Sequence, residues 1–328
     1  MPVMTGKEDK IRVGAYGSNG HQIDRLLANH PHARLCAVSA LSRERSDGIP
    51  NSDCLKRYDT FEELLEDDEI DLISLCSPRR RDQASHAIRA MRAGKHVYAE
   101  KPCAMTEDEL DQIIATSEDT GLVFHEMAGT AFAQPYLSVR NLVSAGAIGE
   151  VVQVLVQKSY PLAPQRRPQD EDVDGGLVMQ VGVHAVRMIE HVAGVKVSAV
   201  QAVQTQLGNP GTGDLRIAAV MQCTLENKGV AAITCNYLNP TTFGQWGNEM
   251  LRIFGTCGCV EVTDGGRGTR LVTNEKDHGP VEITGATITY HDMMFREILE
   301  IEPMPHDLQT ELHPTRMVIR AATTAISA

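Results

Sequence analysis

Three short stretches carry residues whose types and spacing could do chemistry. The turn Gly14-Ala-Tyr-Gly17-Ser18-Asn19-Gly20-His21-Gln22 follows an apolar run. Glycines in such a turn let the backbone approach phosphate oxygens, and a helix N-terminus beyond it would add positive potential. Read as G-x-G-x-x-G from Gly17, the turn has Asn19 and Gln22 in place of the second and third glycines. The second stretch, Ala93-Gly94-Lys95-His96-Val97-Tyr98-Ala99-Glu100-Lys101-Pro102, ends a strand with a carboxylate and an ammonium group side by side. Open α/β sheets bind ligands at that edge. The third, Ser39-Ala-Leu-Ser42-Arg43-Glu44-Arg45, closes the second strand without the carboxylate that usually engages a ribose 2'-hydroxyl. An arginine there can pair with a 2'-phosphate, so Ser42 and Arg43 predict NADP(H) over NAD(H), with NAD still possible.

The elements that must position these residues alternate strand and helix. Ile11–Tyr16 is a short apolar run, and His21–His30 has the spacing of an amphipathic helix, with Ile23, Leu26 and Leu27 on one face. Arg34–Ser39 and Ile70–Cys76 read as strands around a helix at Phe61–Glu66, and Pro78 ends the third strand. A helix over Asp82–Ala93, a strand at His96–Ala99, a helix opened by a Thr106/Glu109 capping box and a strand at Leu122–Phe124 complete the series. This alternation predicts a doubly wound parallel sheet, a Rossmann domain over residues 1–127. After a helix at Tyr136–Ala145, strand-like runs dominate from Val151 to Val272, interrupted by helical Val183–Ala193, and a last helix covers Pro314–Ser327. Residues 128–328 therefore form a second, α+β domain with a mainly antiparallel sheet, for substrate binding and oligomerisation; the C-terminal helix could pack back on the first domain.

The 328 residues are 42% apolar and 23% charged, enough for a large core, and the length suits two domains. A formal net charge of -12 argues against nucleic acid or an anionic membrane surface as partner. No run approaches the ~18 apolar residues of a membrane span, and residues 1–10 lack the apolar core of a signal peptide, so the expected location is cytoplasmic. The eight scattered cysteines read as reduced thiols, and no metal site is expected: Cys257-Gly-Cys259 lacks a second cysteine pair, and His125, His184 and His191 have no ligand spacing.

The run Gly94-Lys95-His96-Val97 with Glu100-Lys101-Pro102 resembles the signature of the glucose-fructose oxidoreductase, inositol dehydrogenase and rhizopine-catabolism (Gfo/Idh/MocA) family. The resemblance continues through Val143-Ser144-Ala145-Gly146, Ala147-Ile148-Gly149-Glu150-Val151, the Gly175-Gly176 pair and Ile253–Gly258. In that family an Asp-x-Gly-x-His motif follows the glycine pair on a helix facing the nicotinamide; here Gly182 and His184 match and Gln180 stands for the aspartate. A second departure is Asp82, where the family commonly has histidine.

What the resemblance implies is hydride transfer between NAD(P) and a secondary alcohol of a sugar, inositol or related polyol. His184 would exchange the hydroxyl proton and Lys101 would hold the substrate oxygen, roles that suit an imidazole titrating near neutrality and an ammonium group. Gln180 and Glu100 are the expected substrate-binding residues. Gly17, Ser18, Asn19, Gly20, Ser42, Arg43, Pro78, Glu100 and Lys101 are expected at the cofactor. The partners expected are a small carbohydrate-like molecule and further copies of the chain, as a dimer or tetramer. Two alternatives stand beside this reading: a non-catalytic sensor that keeps the cofactor fold, and a lyase or isomerase that recycles a tightly held cofactor.

Overall fold

In the computed structural model, which describes residues 10–49, 54–163, 167–285 and 288–328, the chain divides into two compact units. The first comprises residues 1–127 with Tyr290–Glu311, the second residues 128–289 with Leu312–Ala328.

In the first unit, β1 (Ile11–Tyr16), β2 (Ala33–Ser39), α1 (Arg43–Asp47), β3 (Lys56–Tyr58), α2 (Phe61–Glu66), β4 (Leu72–Leu75), α3 (Gln83–Arg92), β5 (His96–Ala99), α4 (Glu107–Thr120) and β6 (Phe124–Glu126) follow in order. The strands form one all-parallel sheet ordered β3-β2-β1-β4-β5-β6. Such a sheet is covered on both faces, so its central strands are mostly apolar; all four residues of β4 are buried, Ser74 with its hydroxyl donating to Gln22 Oε1, as are Val13 and Ala15 of β1. Capping boxes set two helix starts: Thr60 and Glu63 open α2, and Thr106 and Glu109 open α4, which closes on left-handed Gly121. The order reverses between β1 and β4, the switch point at which such sheets bind ligands.

The helix expected over His21–His30 is a succession of turns instead. Its bonds run three residues back, from Leu26 N to Ile23 O and from His30 N to Leu27 O. Gln22 turns its amide inward to Tyr16, Gly17 and Ser74 carbonyls, Asn29 is left-handed, and Pro31 disfavours helical geometry before it. Ile23 and Leu27 still bury, whereas Leu26 is exposed.

The second unit opens with α5 (Tyr136–Ser144) and continues through β7 (Val151–Ser159), α6 (Glu171–Asp174), α7 (Gly176–Arg187), β8 (Val197–Thr205), β9 (Ala218–Leu225), β10 (Val230–Asn236), β11 (Met250–Gly255), β12 (Gly258–Thr263), β13 (Gly268–Thr273) and β14 (Asp277–Gly279). α8 (Tyr290–Ile298) falls in the first unit's range, α9 (Leu308–Thr323) begins there and ends in the second unit's range, and β15 (Ile326–Ser327) belongs to the second. The nine strands pair as β14-β13-β12-β11-β7-β10-β9-β8-β15, antiparallel except for β7 with β10 and β8 with β15. Period-2 burial makes one face apolar: along β9, Ala219, Met221, Cys223 and Leu225 bury while Val220, Gln222 and Thr224 face out. The buried α7 packs on that face, closely enough that a Cβ on Gly182 would sit 2.8 Å from Met221 Cε.

Candidate active site

The loop after β1 is built around its glycines. Gly17 has φ +70°, and a Cβ there would lie 2.1 Å from the carbonyl oxygen of Cys76, so only glycine fits. Its amide donates to Ser39 O at 3.0 Å, and Asn19 N reaches Cys76 O at 3.4 Å. The Asn19 side chain donates to Pro78 O at 3.2 Å, which ties the loop to the end of β4. Ser18 and Gly20 are exposed at its tip.

Because residues 21–30 are not helical, a helix dipole cannot supply positive potential here. Arg80 does so. It is 1% exposed, donates Nη2 to Asn19 O at 2.8 Å and Nη1 to Gln83 Oε1 at 2.6 Å, and its buried Nε meets no partner among the described residues. Its neighbours Arg79 and Arg81 are exposed, so the triple-arginine run splits into one buried cation under the loop and two surface residues. A glycine cradle at the switch point above a buried cation fits a dinucleotide's pyrophosphate.

At the end of β5, Glu100 and Lys101 are 1% and 3% exposed, with Lys101 Nζ 3.4 Å from Glu100 Oε1. Glu100 also accepts the His21 amide at 2.6 Å and meets His21 Nδ1 at 2.9 Å. Gly20 is required again: a Cβ on it would lie 2.5 Å from the Glu100 side chain. Burial pushes the Glu100 carboxyl up, but Lys101, His21 and Arg80 together hold it far below the ordinary carboxylate range. Gln83 donates to the Glu100 and Pro102 carbonyls and so supports the Lys101-Pro102 turn from below. The remaining polar residues of the motif serve the scaffold: Lys95 Nζ ties to the Asp67 and Ile70 carbonyls at 2.8 and 2.9 Å, and His96 Nδ1 accepts from Val123 N.

At the end of β2, Ser42 caps α1 by accepting from Arg45 N at 3.2 Å. Arg45 grips the buried Asp24 through Nε and Nη2 at 2.8 and 2.9 Å, whereas Arg43 is exposed.

In the second unit, α7 begins at Gly176, so Gln180 and His184 stand one turn apart on one helix face. His184 is 6% exposed, and its Nδ1 lies 3.0 Å from Thr130 Oγ1. Gln180 Nε2 donates to Asp174 Oδ2 at 3.2 Å; its Oε1 accepts from Tyr237 Oη and Arg167 Nη1, each at 3.0 Å. Asp174 in turn accepts the Gly176 amide. Where the family has an aspartate, this chain thus has an amide whose carboxylate neighbour comes from α6. Burial and Asp174 push the Tyr237 hydroxyl far up its scale, Arg167 opposing.

Thr130, Asp174, Arg167 and Tyr237 are side chains that the sequence motifs did not bring forward. Arg167 and Asp174 lie in the mixed-charge stretch 165–174 before the glycine pair, which the sequence offers as a solvated loop or a substrate lid. Residues 165 and 166 of that stretch lie outside the described residues; the remainder includes α6.

Of the three histidines considered as metal ligands, His125 is instead clamped by Glu297 and Glu311 within the first unit. His30, His291 and Asp292 do approach within 4.8 Å of one another. There His30 Nδ1 accepts from His32 N, which places the ring proton on Nε2, 2.6 Å from Asp292 Oδ1: a hydrogen-bonded pair whose tautomer opposes metal binding.

Two family descriptions match: the oxidoreductase family's NAD-binding Rossmann fold over residues 11–127, and the GFO/IDH/MocA C-terminal domain over 136–261. The chain belongs to the Gfo/Idh/MocA oxidoreductase family. Among curated relatives, it is 30% identical to the dTDP-3,4-didehydro-2,6-dideoxy-alpha-D-glucose 3-reductase of Streptomyces violaceoruber over 62% of this chain and 64% of that protein. It is 28% identical to the trans-1,2-dihydrobenzene-1,2-diol dehydrogenase of Danio rerio over 73% of this chain and 68% of that one. An oxidoreductase-family structure from Thermotoga maritima superposes with a TM-score of 0.86 at 25% identity, over 96% of this chain and 97% of that one. A 3-ketoreductase from Actinomadura kijaniata, solved with TDP-benzene and NADP, shares the fold with a TM-score of 0.77 at 18% identity, over 97% and 99% of the two chains.

Proposed function

We propose that the protein is a nicotinamide-dependent oxidoreductase that interconverts a secondary alcohol and a ketone on a sugar, inositol or related polyol. The observation that carries this is Lys101, an ammonium group almost fully buried at the carboxyl end of β5 and held there by Glu100. A buried ion pair adds little stability of its own, and this one stands at the edge where such sheets bind ligands, which supports a role toward a bound group. The Streptomyces reductase and the zebrafish dehydrogenase are named for reactions of this class, which supports the reading.

When bound, the dinucleotide supplies or accepts the hydride. Gly17, Ser18, Asn19, Gly20 and Pro78 would hold its pyrophosphate over Arg80, and Arg43 would meet a 2'-phosphate, favouring NADP(H). Ser42 Oγ accepts the α1 cap bond from Arg45 N, so its O–H could still donate to a phosphate oxygen. Lys101 holds the substrate oxygen and stabilises its negative charge, while His184, oriented by Thr130 through Nδ1, exchanges the hydroxyl proton. Gln180 binds substrate; an amide cannot shuttle protons.

The protein would act in the cytosol as a homo-oligomer. All eight cysteines are free thiols, as a reducing compartment requires, and no helix among the described residues is long and apolar enough to cross a membrane. Val203, Val220, Val230 and Ile326 lie exposed on the outward face of the nine-stranded sheet, where a second copy would cover them. Light scattering should give a multiple of 35.8 kDa at micromolar concentration, and the monomer mass would reject the oligomer.

The deciding experiment follows absorbance of reduced nicotinamide with NADP+ and NAD+ against a panel of sugars, inositols and sugar acids. Net, stoichiometric reduction of exchangeable cofactor is expected. Substrate conversion without net reduction would favour a cofactor-recycling lyase or isomerase, and ligand binding without conversion a sensor.

A further inference from the structure

We propose that the substrate carries an oxyanion, a carboxylate or a phosphate, and that Arg167 binds it beside Gln180. The proposal rests on the reading of the α7 face as the substrate site. Arg167 is half-buried, with its guanidinium 4.0 Å above the Tyr237 ring and within about 6 Å of Tyr160 and Trp246. This stacking fixes the plane of the guanidinium. One corner, Nη1, is used on the neutral Oε1 of Gln180, while the buried Nε meets no partner among the described residues. The Nε–Nη2 edge is the one that pairs in parallel with two oxygens of a carboxylate or phosphate.

The nearby acids do not satisfy this cation. Asp174 is engaged by Gln180 Nε2 and the Gly176 amide, and Glu249 is paired with Lys158. A glutamine at position 180 matters here. The family's carboxylate at that position would offer Arg167 an internal salt bridge, whereas the amide orients the guanidinium without neutralising it. A half-buried, aromatic-stacked arginine that meets, among the described residues, one amide oxygen is a cation prepared for an anion from outside.

Trp246, the single tryptophan, lies 6.0 Å from the Arg167 guanidinium and reports binding without cofactor or turnover. Its emission is titrated with D-glucuronate, D-gluconate and glucose 6-phosphate against glucose and myo-inositol. At least one anionic probe should bind saturably and about 10- to 100-fold tighter than both neutral ones, the worth of a charge-assisted hydrogen-bonded pair. Whether the sugar acids or the phosphate bind better identifies the oxyanion. Arg167→Gln should abolish the preference, and Arg167→Lys, which keeps the charge but loses the fork, should retain only part of it; a thermal melt confirms that each variant is folded. Equal binding of charged and neutral probes, no binding of any probe, or an undiminished preference in both variants overturns the proposal. The two readings fail separately. Turnover of neutral polyols with unaltered kcat/KM in Arg167→Gln would leave the oxidoreductase standing and remove the anion site, whereas Arg167-dependent binding of a sugar acid without net redox would do the reverse.

Discussion

The carboxyl end of β5 and the face of α7 both gather ionisable side chains, yet they satisfy them by opposite means. At β5, charge meets charge: Glu100 is closed in by Lys101, His21 and, further off, Arg80. On α7, Arg167 and Asp174 bond the two ends of one neutral glutamine amide, and His184 lies against a threonine hydroxyl. A buried ion pair is costly to break and fixes geometry in the absence of ligand, whereas an ion held by an amide keeps much of its field available. The difference separates a part of the molecule built to stay as it is from a part built to receive something.

Removing His184 should have the largest effect. His184→Ala is expected to lower turnover about 10²- to 10⁴-fold, the usual worth of a positioned acid-base group, with cofactor affinity nearly unchanged in a nicotinamide fluorescence titration. Lys101→Ala should slow the same step, so the double variant should lose less than the product of the separate factors. Near-normal turnover in His184→Ala would sink the assignment.

The comparison sharpens at Glu100. Glu100→Gln leaves Lys101 as a buried cation without its carboxylate, so a loss of about 3–5 kcal/mol in urea unfolding at pH 7 is expected. The carboxyl is held below its unfolded value, so its contribution is present above the ordinary carboxylate pKa of about 4.3 and fades as the pH falls. Between pH 5 and 3 the wild-type protein should therefore lose more stability than the variant. An equal acid slope in both would show that the β5 end does not depend on its charges.

His125 is another case of charge meeting charge in the first unit, wedged between Glu311 and Glu297, the latter 2.6 Å from its Nε2. Burial pulls its pKa down, but the two carboxylates prevail and raise it to about 9. With the folded value above the unfolded ~6.5, its stabilisation is complete below pH 6.5 and disappears as the pH rises through 9, by a few kcal/mol. Melting temperature followed from pH 6 to 10 should fall more steeply in the wild type than in His125→Gln. Parallel curves would mean that the clamp holds a neutral ring.

How much of this was legible in the sequence follows from which residues depend on near neighbours alone. Strand β1 was predicted with its observed ends, the Thr106/Glu109 capping box was a local signal, and the α/β alternation followed from apolar periodicity. The helix at 21–30 misled because Ile23, Leu26 and Leu27 have helical spacing, while Gln22's inward hydrogen bonds depend on Ser74, 52 positions away. For the same reason nothing in Arg79-Arg80-Arg81 told which arginine is buried: Gln83 and Asn19 decide it. Gln180 and His184 were legible through a family motif. Thr130, Arg167 and Tyr237 reach them only through tertiary packing, from 54, 13 and 57 positions away.

The smallest effect tests the end of β2, where two arginines two residues apart divide the two behaviours between them. Arg45 is committed to the buried Asp24 by a two-pronged ion pair, so Arg45→Ala should cost stability and leave the ratio of NADP to NAD affinity unchanged in the folded fraction. Arg43 is exposed, stands next to the α1 cap and can swing toward a 2'-phosphate. Arg43→Ala should leave the melting temperature within about a degree, since exposed substitutions are nearly neutral. It should weaken NADP(H) about 10-fold, the value of one solvent-exposed charge-assisted contact at roughly 1.4 kcal/mol, and leave NAD(H) alone. The contact is screened, so the loss should shrink when the titration is repeated at 0.5 M salt. An Arg43 variant that binds both cofactors as the wild type does, or a wild type that prefers NAD(H), would remove the 2'-phosphate assignment and leave the rest of the nucleotide loop untouched.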